Sequence, residues 1–283
     1  MNRLERMEVF EGTKKICESS ERLQQAIRQS REKQCIYWEG ESIEYGQPRF
    51  SGKPELILSP KKTVEAARPY AELGKRVCIL NFASSVSPGG GVVQGSQAQE
   101  ESICRVSTLY FVLSDPETAG KFYTYHWELI RAGKMNRRNR DDIVYTPSVM
   151  VVRDDAADEA MMKESDWYAM DVITCAAPDL RRTREDSCYA PTREELLAVH
   201  ETRWSKILAA AARHEADVLI LGAFGCGVFD NPPKIVVQAF NNVISKFDGY
   251  FETIEFAVYA RDKADRNYQA FSRIAGIHES MEY

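Results

Sequence analysis

From Arg76 to the C-terminus, short apolar runs alternate with stretches of helical periodicity, and this alternation constrains the fold more than any other feature. Strands are expected at Arg76–Phe82 (RVCILNF), within Ile143–Val152 (one or two), and at Tyr168–Ala176, Val218–Ala223 and Phe251–Val258. Helices are expected from about Gln97 to Leu113, and at Arg193–Glu215, Pro232–Phe247 and Lys263–Ala275. A short, continuous apolar run bounded by turn residues suits a strand covered on both faces. The pattern therefore predicts an α/β domain with a mixed sheet layered against helices. Thr63 suits the cap of a short helix ending at Gly74. Upstream the texture differs. Residues 1 to about 35 are charged, with Leu4, Met7, Phe10, Ile16, Leu23 and Ile27 at helical spacing, and predict a helical extension packed on the main domain. Residues 39–61 are rich in Gly, Pro and Ser and read as a loop or hairpin linker. The expected division is thus an N-terminal helical extension and linker at 1–60 and the main domain at 61–283.

Composition removes several function classes. The chain of 283 residues carries 37 basic and 42 acidic residues, a formal charge of −5. Non-specific grip on a nucleic-acid backbone needs a basic surface, so no stable nucleic-acid partner is expected. Four Trp, thirteen Tyr and twelve Phe exclude disorder as the main state. Cys17, Cys35, Cys78, Cys104, Cys175, Cys188 and Cys226 form no C-x-x-C pair, and read as free thiols in a reducing compartment. The N-terminus has no signal-like apolar region and no stretch approaches a membrane span, so a soluble cytoplasmic protein is expected, working as a monomer. His126, His200, His214 and His278 show no ligand spacing; neither a metal nor a cofactor is expected. One segment runs against the overall charge. Arg131–Asp142 (RAGKMNRRNRDD) is basic, and reads as a solvated loop or as a neighbour of an anionic ligand. Tyr110 and Phe122–Trp127 read as core or surface aromatics.

Two glycine-rich loops carry the chemistry. Gly89, Gly90 and Gly91 follow the first strand and Pro88. Such a run admits backbone conformations closed to other residues, and its N–H groups can face phosphate or sugar oxygens. The second loop, Gly222–Pro233 (GAFGCGVFDNPP), leaves an apolar strand and enters a helix, with Asn231 placed as N-cap and Pro232 as first helical residue. It lacks the Gly-Lys-Ser/Thr of a Walker A loop and the dinucleotide G-x-G-x-x-G spacing. Two such loops at strand ends predict a cleft over the sheet edge that holds a phosphate-bearing ligand. Cys226 in this loop is a small loop residue or, less simply, a nucleophile.

Gln99-Glu100-Glu101 follows the first loop. Adjacent helical residues point about 100° apart, so the two glutamates cannot oppose each other across one bond as glycosidase carboxylates do. In a cleft, one can give and retrieve a proton while the other holds a sugar hydroxyl; at a solvent-facing helix start, they simply suit the dipole.

The run NFAS…PGGG, seven residues, then QEE, continuing to STLY, resembles the signature of microbial-type poly(ADP-ribose) glycohydrolases, and GAFGCGVFDNPP is similar to that family's second ligand loop. The resemblance spans about residues 60–260. It implies a three-layer α/β/α macrodomain with a mixed sheet that binds ADP-ribose, and hydrolysis of ribose–ribose O-glycosidic bonds in ADP-ribose polymer, from the chain end. By resemblance Glu101 is the catalytic acid and base, and Glu100 holds ribose hydroxyls. Gly89, Gly90, Gly91 and Val92 lie along the diphosphate and distal ribose. Gly225, Cys226, Gly227, Val228 and Phe229 form the diphosphate loop, with Phe229 near the distal ribose. Gln99 is a positioning or binding residue. Ser87 stands where relatives commonly have Asn. A general acid at neutral pH needs a raised pKa, which burial under substrate and the neighbouring Glu100 are expected to supply against the helix dipole. A mono-ADP-ribosyl hydrolase and a non-catalytic ADP-ribose reader use the same cleft and remain the alternatives.

Overall fold

A computed structural model of the chain describes residues 1–181 and 189–280. Helices α1 (Arg3–Ser19) and α2 (Glu21–Glu32) come first, then β1 (Cys35–Tyr37), β2 (Glu55–Ser59), α3 (Thr63–Glu72) and β3 (Val77–Phe82). Helices α4 (Gln99–Val106), α5 (Leu109–Leu113), α6 (Pro116–Thr118) and α7 (Tyr125–Arg131) follow. Next are β4 (Ile143–Val151), a small hairpin of β5 (Arg153–Asp154) and β6 (Ala160–Met161), and β7 (Tyr168–Cys175). The remainder alternates α8 (Arg193–Arg213), β8 (Val218–Leu221), α9 (Pro233–Val243), β9 (Thr253–Ala257), α10 (Arg266–Phe271) and β10 (Ile277–Glu279).

Among the described residues, eight strands form one sheet in the order β1-β4-β7-β3-β8-β9-β2-β10. The run from β7 to β10 is parallel, while β4 is antiparallel to both its neighbours. The sheet is therefore mixed, and its central strands are covered twice. In β3, Cys78 and Leu80 enter a core shared with α8 and α9; Val77 and Ile79 enter a second core with α3, α4 and α5. The same alternation sends Leu219 and Leu221 of β8 one way and Val218 and Ile220 the other. Three layers follow from this pattern, helices on both faces of one sheet. Asn81 shares the face of Val77 and Ile79, so its buried amide points beneath α4.

The N-terminal helices pack on the α4 side through Phe10, Cys17 and Leu23. Ser20 divides them, its hydroxyl accepting from Leu23 N–H to cap α2. Several expectations need correction. Residues 39–61 are not only a linker, because Glu55–Ser59 form β2, hydrogen-bonded between β9 and β10. The helix expected over 97–113 breaks at Ser107 and Thr108, whose backbones pair with the end of β4 instead. The last helix is shorter than expected, ending at Phe271. Within the described residues no helix is long and apolar enough to cross a membrane. The cysteines there are unpaired; Cys188 lies outside the described residues.

Candidate active site

Strand β3 ends beneath the first glycine loop, and α4 begins just beyond it. The loop folds back over the first turn of α4, and its two ends grip the two acids. Glu100 Oε2 accepts from Ser84 N–H at 2.7 Å, near the start of the loop, and Glu101 Oε1 accepts from Gly91 N–H at 2.8 Å, at its end. Glu100 Oε1 also accepts from Asn81 Nδ2 at 3.3 Å. Both side chains are buried, 3% and 7% exposed. Gly90 has a φ of +57°, and a Cβ there would sit 2.6 Å from Glu101 Oε1 and 3.0 Å from Glu100 Oε2. Glycine is thus required twice over, by backbone conformation and by the carboxylate oxygens that crowd that point.

The acids differ chemically. Burial pushes the Glu100 carboxyl up to about 8, against the lowering pull of the Ser84 amide and Asn81. At neutral pH Glu100 is protonated and uncharged. Glu101 keeps one oxygen, Oε2, buried without any hydrogen-bond partner.

Gln99 faces away from the acids. Its Oε1 accepts from Phe82 N–H at 2.8 Å, and its Nε2 donates to Leu80 O at 2.7 Å and Thr63 Oγ1 at 3.1 Å. It ties α4 to the end of β3 and also lines the cavity described below. Val92 is fully buried in the α4-side core, so only its backbone is left to face a ligand.

The second loop follows β8. Asn231, expected as an N-cap, is instead an internal staple, and the cap position falls on Pro232. Its Nδ2 donates to the carbonyls of Pro178, Gly225 and Phe229, and its Oδ1 faces His200 Nε2 at 2.9 Å. Because Asn231 Nδ2 is the donor to three carbonyls, Oδ1 must accept, which fixes the proton of His200 on Nε2. Burial pushes His200 down to about 4, so the ring is neutral. Gly225, at φ +74°, leaves 2.5 Å to Ala177 Cβ. Val228 is exposed at the tip, Gly227 faces open space, and the ring of Phe229 lies under the Arg181 guanidinium at 5.1 Å. Burial pushes the Cys226 thiol up to about 12, which removes the thiolate that a nucleophile needs.

Residues that the sequence reading passed over complete the site. Arg3 Nε and Arg6 Nε of α1 donate to Gln94 O and Gly95 O, each at 2.7 Å, where the first loop meets α4. Buried Arg105 donates to Ser96 O at 2.7 Å while paired to Glu159. Asn139 joins the first loop to the end of β7, with Ser85 Oγ at 2.9 Å and Ala177 O at 2.7 Å. A cavity of about 560 Å³ opens beside the loops, lined at the strand ends by Lys61–Thr63, Phe82, Ala223 and Ala257–Tyr259. Phe82 and Tyr259 are its aromatic residues, with Tyr259 57% exposed. Such a volume suits a small-molecule ligand. Among the described residues, no group of three His, Cys, Asp or Glu is placed to hold a metal.

Residues 5–154 match the family model of the microbial-type PARG catalytic domain. The chain is similar to the crystal structure of poly(ADP-ribose) glycohydrolase from Thermomonospora curvata bound to the inhibitor ADP-HPD, at 30% identity over 96% of this chain and 99% of that one, with a TM-score of 0.79. It is also similar to the Deinococcus radiodurans glycohydrolase in complex with ADP-ribose, at 28% identity over 87% of this chain and 95% of that one, with a TM-score of 0.71. Among curated proteins no relative matches.

Proposed function

The chain belongs to the microbial-type poly(ADP-ribose) glycohydrolases, and from that premise we propose that Glu101 is its general acid and base, acting at the chain end of the polymer. The terminal ADP-ribose lies with its diphosphate between the two glycine loops, its adenine in the cavity beside Tyr259, and its distal ribose against Phe229 and Glu100. This makes the core a macrodomain in the sense of an ADP-ribose-binding sheet edge.

The observation that carries the assignment is the unpartnered Oε2 of Glu101 beside the fully bonded carboxyl of Glu100. A buried oxygen without a partner is unfavourable, and when Oε2 carries the acid proton it can donate to a glycosidic oxygen brought within reach. Glu101 protonates the departing ribose oxygen as the C–O bond breaks, leaving an oxocarbenium-like ribose that the adjacent diphosphate stabilises. The glutamate, now ionised, takes a proton from the attacking water, whose oxygen completes free ADP-ribose. Neutral Glu100 accepts from a ribose hydroxyl or donates to one without adding charge. Both loops and both acids come from one chain, which supports a monomer, and the unpaired cysteines among the described residues support a cytoplasmic setting.

Digestion of poly(ADP-ribose) by wild type and Glu101→Gln, with products resolved by chain length, tests the reading. Wild type should release mainly ADP-ribose. The variant should bind ADP-ribose and lose about 10²–10⁴-fold in turnover. Wild-type turnover by the variant would remove Glu101 from the mechanism.

A further inference from the structure

The basic segment before β4 holds the first loop through Asn139, but its exposed cations Arg131 and Lys134 take no part in that contact. Strand β4 is antiparallel to β7, with Ile143 opposite Cys175, so residues 131–142 arrive at the same carboxyl edge of the sheet as both glycine loops. They arrive on the far side of the acids from the cavity. The cavity lies at the ends of β8 and β9, whereas this segment lies beyond β7. From the cavity, the side of the sheet edge beyond the acids is the β7 and β4 side.

That face combines two kinds of group. Trp127 of α7 is 45% exposed, and its indole N–H donates to Val86 O at 3.1 Å, which fixes the ring beside the first loop. The amide that holds Glu100 belongs to Ser84, two residues before Val86. Its neighbour His126 is buried, with Nδ1 2.8 Å from Ser85 O and Nε2 2.8 Å from Asp142 Oδ2, so α7 is anchored at that point. Arg138 and Arg140 of the segment are paired with Glu39 and Asp142. Arg131 and Lys134 are exposed and have no carboxylate partner among the described residues.

We infer that this face is a binding site for the second ADP-ribose unit of the polymer, the unit that departs, with Trp127 stacking on its adenine and Arg131 and Lys134 facing its diphosphate. The inference rests on the reading of the catalytic site above. Stacking on an aromatic ring is sequence-tolerant and suits a repeating polymer, and unpaired cations beside it supply charge complementarity. It gives the enzyme a reason to prefer polymer over a single ADP-ribose attached to protein, because only polymer presents a second adenine and diphosphate.

The test uses the full chain in the Glu101→Gln background, with ADP-ribose and a two-unit ADP-ribose dimer as probes. Trp127→Ala should weaken dimer binding about tenfold and leave ADP-ribose binding unchanged. Trp127→Phe, which keeps a ring and loses the bond to Val86, should stay within about twofold on the dimer. Arg131→Glu with Lys134→Glu should weaken the dimer alone and flatten its salt dependence. Equal losses on both probes would make Trp127 a prop for the first loop and overturn the proposal, as would unchanged dimer binding in all variants. Either failure leaves polymer cleavage by wild type and its loss in Glu101→Gln intact, so the catalytic reading is judged separately.

Discussion

Replacing Glu100 with Gln tests the electrostatics of the site most sharply. Burial raises this carboxyl from the ordinary 4.5 to about 8. Its folded pKa lies above the unfolded one, so the folded protein holds a proton that the unfolded chain releases as pH climbs from 4.5 towards 8. Stability is therefore lost across that window as pH rises. At about 1.36 kcal/mol for each pH unit between the two values, the cost is on the order of 3 kcal/mol at pH 7 for this 3%-exposed side chain. Glutamine is neutral in both states and escapes it. It can still accept from the Ser84 amide, and Asn81, whose Oδ1 is buried without a partner, can turn its amide to accept from the new NH₂. Glu100→Gln should thus be about as stable as wild type near pH 4.5 and more stable by roughly 3 kcal/mol near pH 7. Urea unfolding of both proteins at pH 4.5, 7 and 8.5 measures the difference. Because a neutral amide replaces a neutral acid, polymer turnover should fall less than in Glu101→Gln. A stability difference that does not change with pH, or a glutamine variant less stable at pH 8.5, would show that Glu100 is ionised in the fold and refute the reasoning.

Two further substitutions probe the loops. Gly90→Ala places a methyl 2.6 Å from Glu101 Oε1 at a φ of +57°, so the acids or the loop must move. Turnover on polymer should fall by about 10²-fold, since displacements near 1 Å are enough for that, and single-turnover rates will show it. Asn231→Ala leaves Pro178 O, Gly225 O and Phe229 O without their shared donor and His200 Nε2 without its acceptor. A loss of roughly 2–4 kcal/mol is expected, seen as a lower Tm, together with weaker ADP-ribose binding; a wild-type Tm would mean that the second loop is held elsewhere.

Much of the layout is legible because it rests on local pattern. VCILNF and VLIL read as strands because both of their faces enter a core, and Gly89, Gly90, Gly91, Gly222 and Gly225 mark places where the chain takes a positive φ or passes within contact of another group. What escaped depends on residues far apart in sequence. Strand β2 is five residues in a setting rich in Gly, Pro and Ser, and its partner β9 lies almost two hundred residues away. The break after α4 comes from backbone pairing with β4, not from any helix-breaking residue, since Ser107 and Thr108 are neither Gly nor Pro. Asn231 sits where an N-cap belongs, yet its partners come from α8, the end of β7 and its own loop, which no local rule can list. The Ser, Gly and Asn contacts that surround the acids are of the same kind.

Two adjacent glutamates with one signature are made unlike by what lies behind each. Asn81 is the last inward residue of β3 on the α4 side, so it meets Glu100 and not Glu101. Glu100 is held on both oxygens, by Asn81 and by the Ser84 amide, and a carboxyl so engaged cannot approach a glycosidic oxygen without breaking a bond. Glu101 is held on one oxygen, by Gly91 at the far end of the loop, and its other oxygen is open to a new partner. A proton that must be delivered and then recovered needs an oxygen that is free in both states, and only Glu101 has one. The helix places the two residues side by side; the strand beneath and the loop above decide which of them can react.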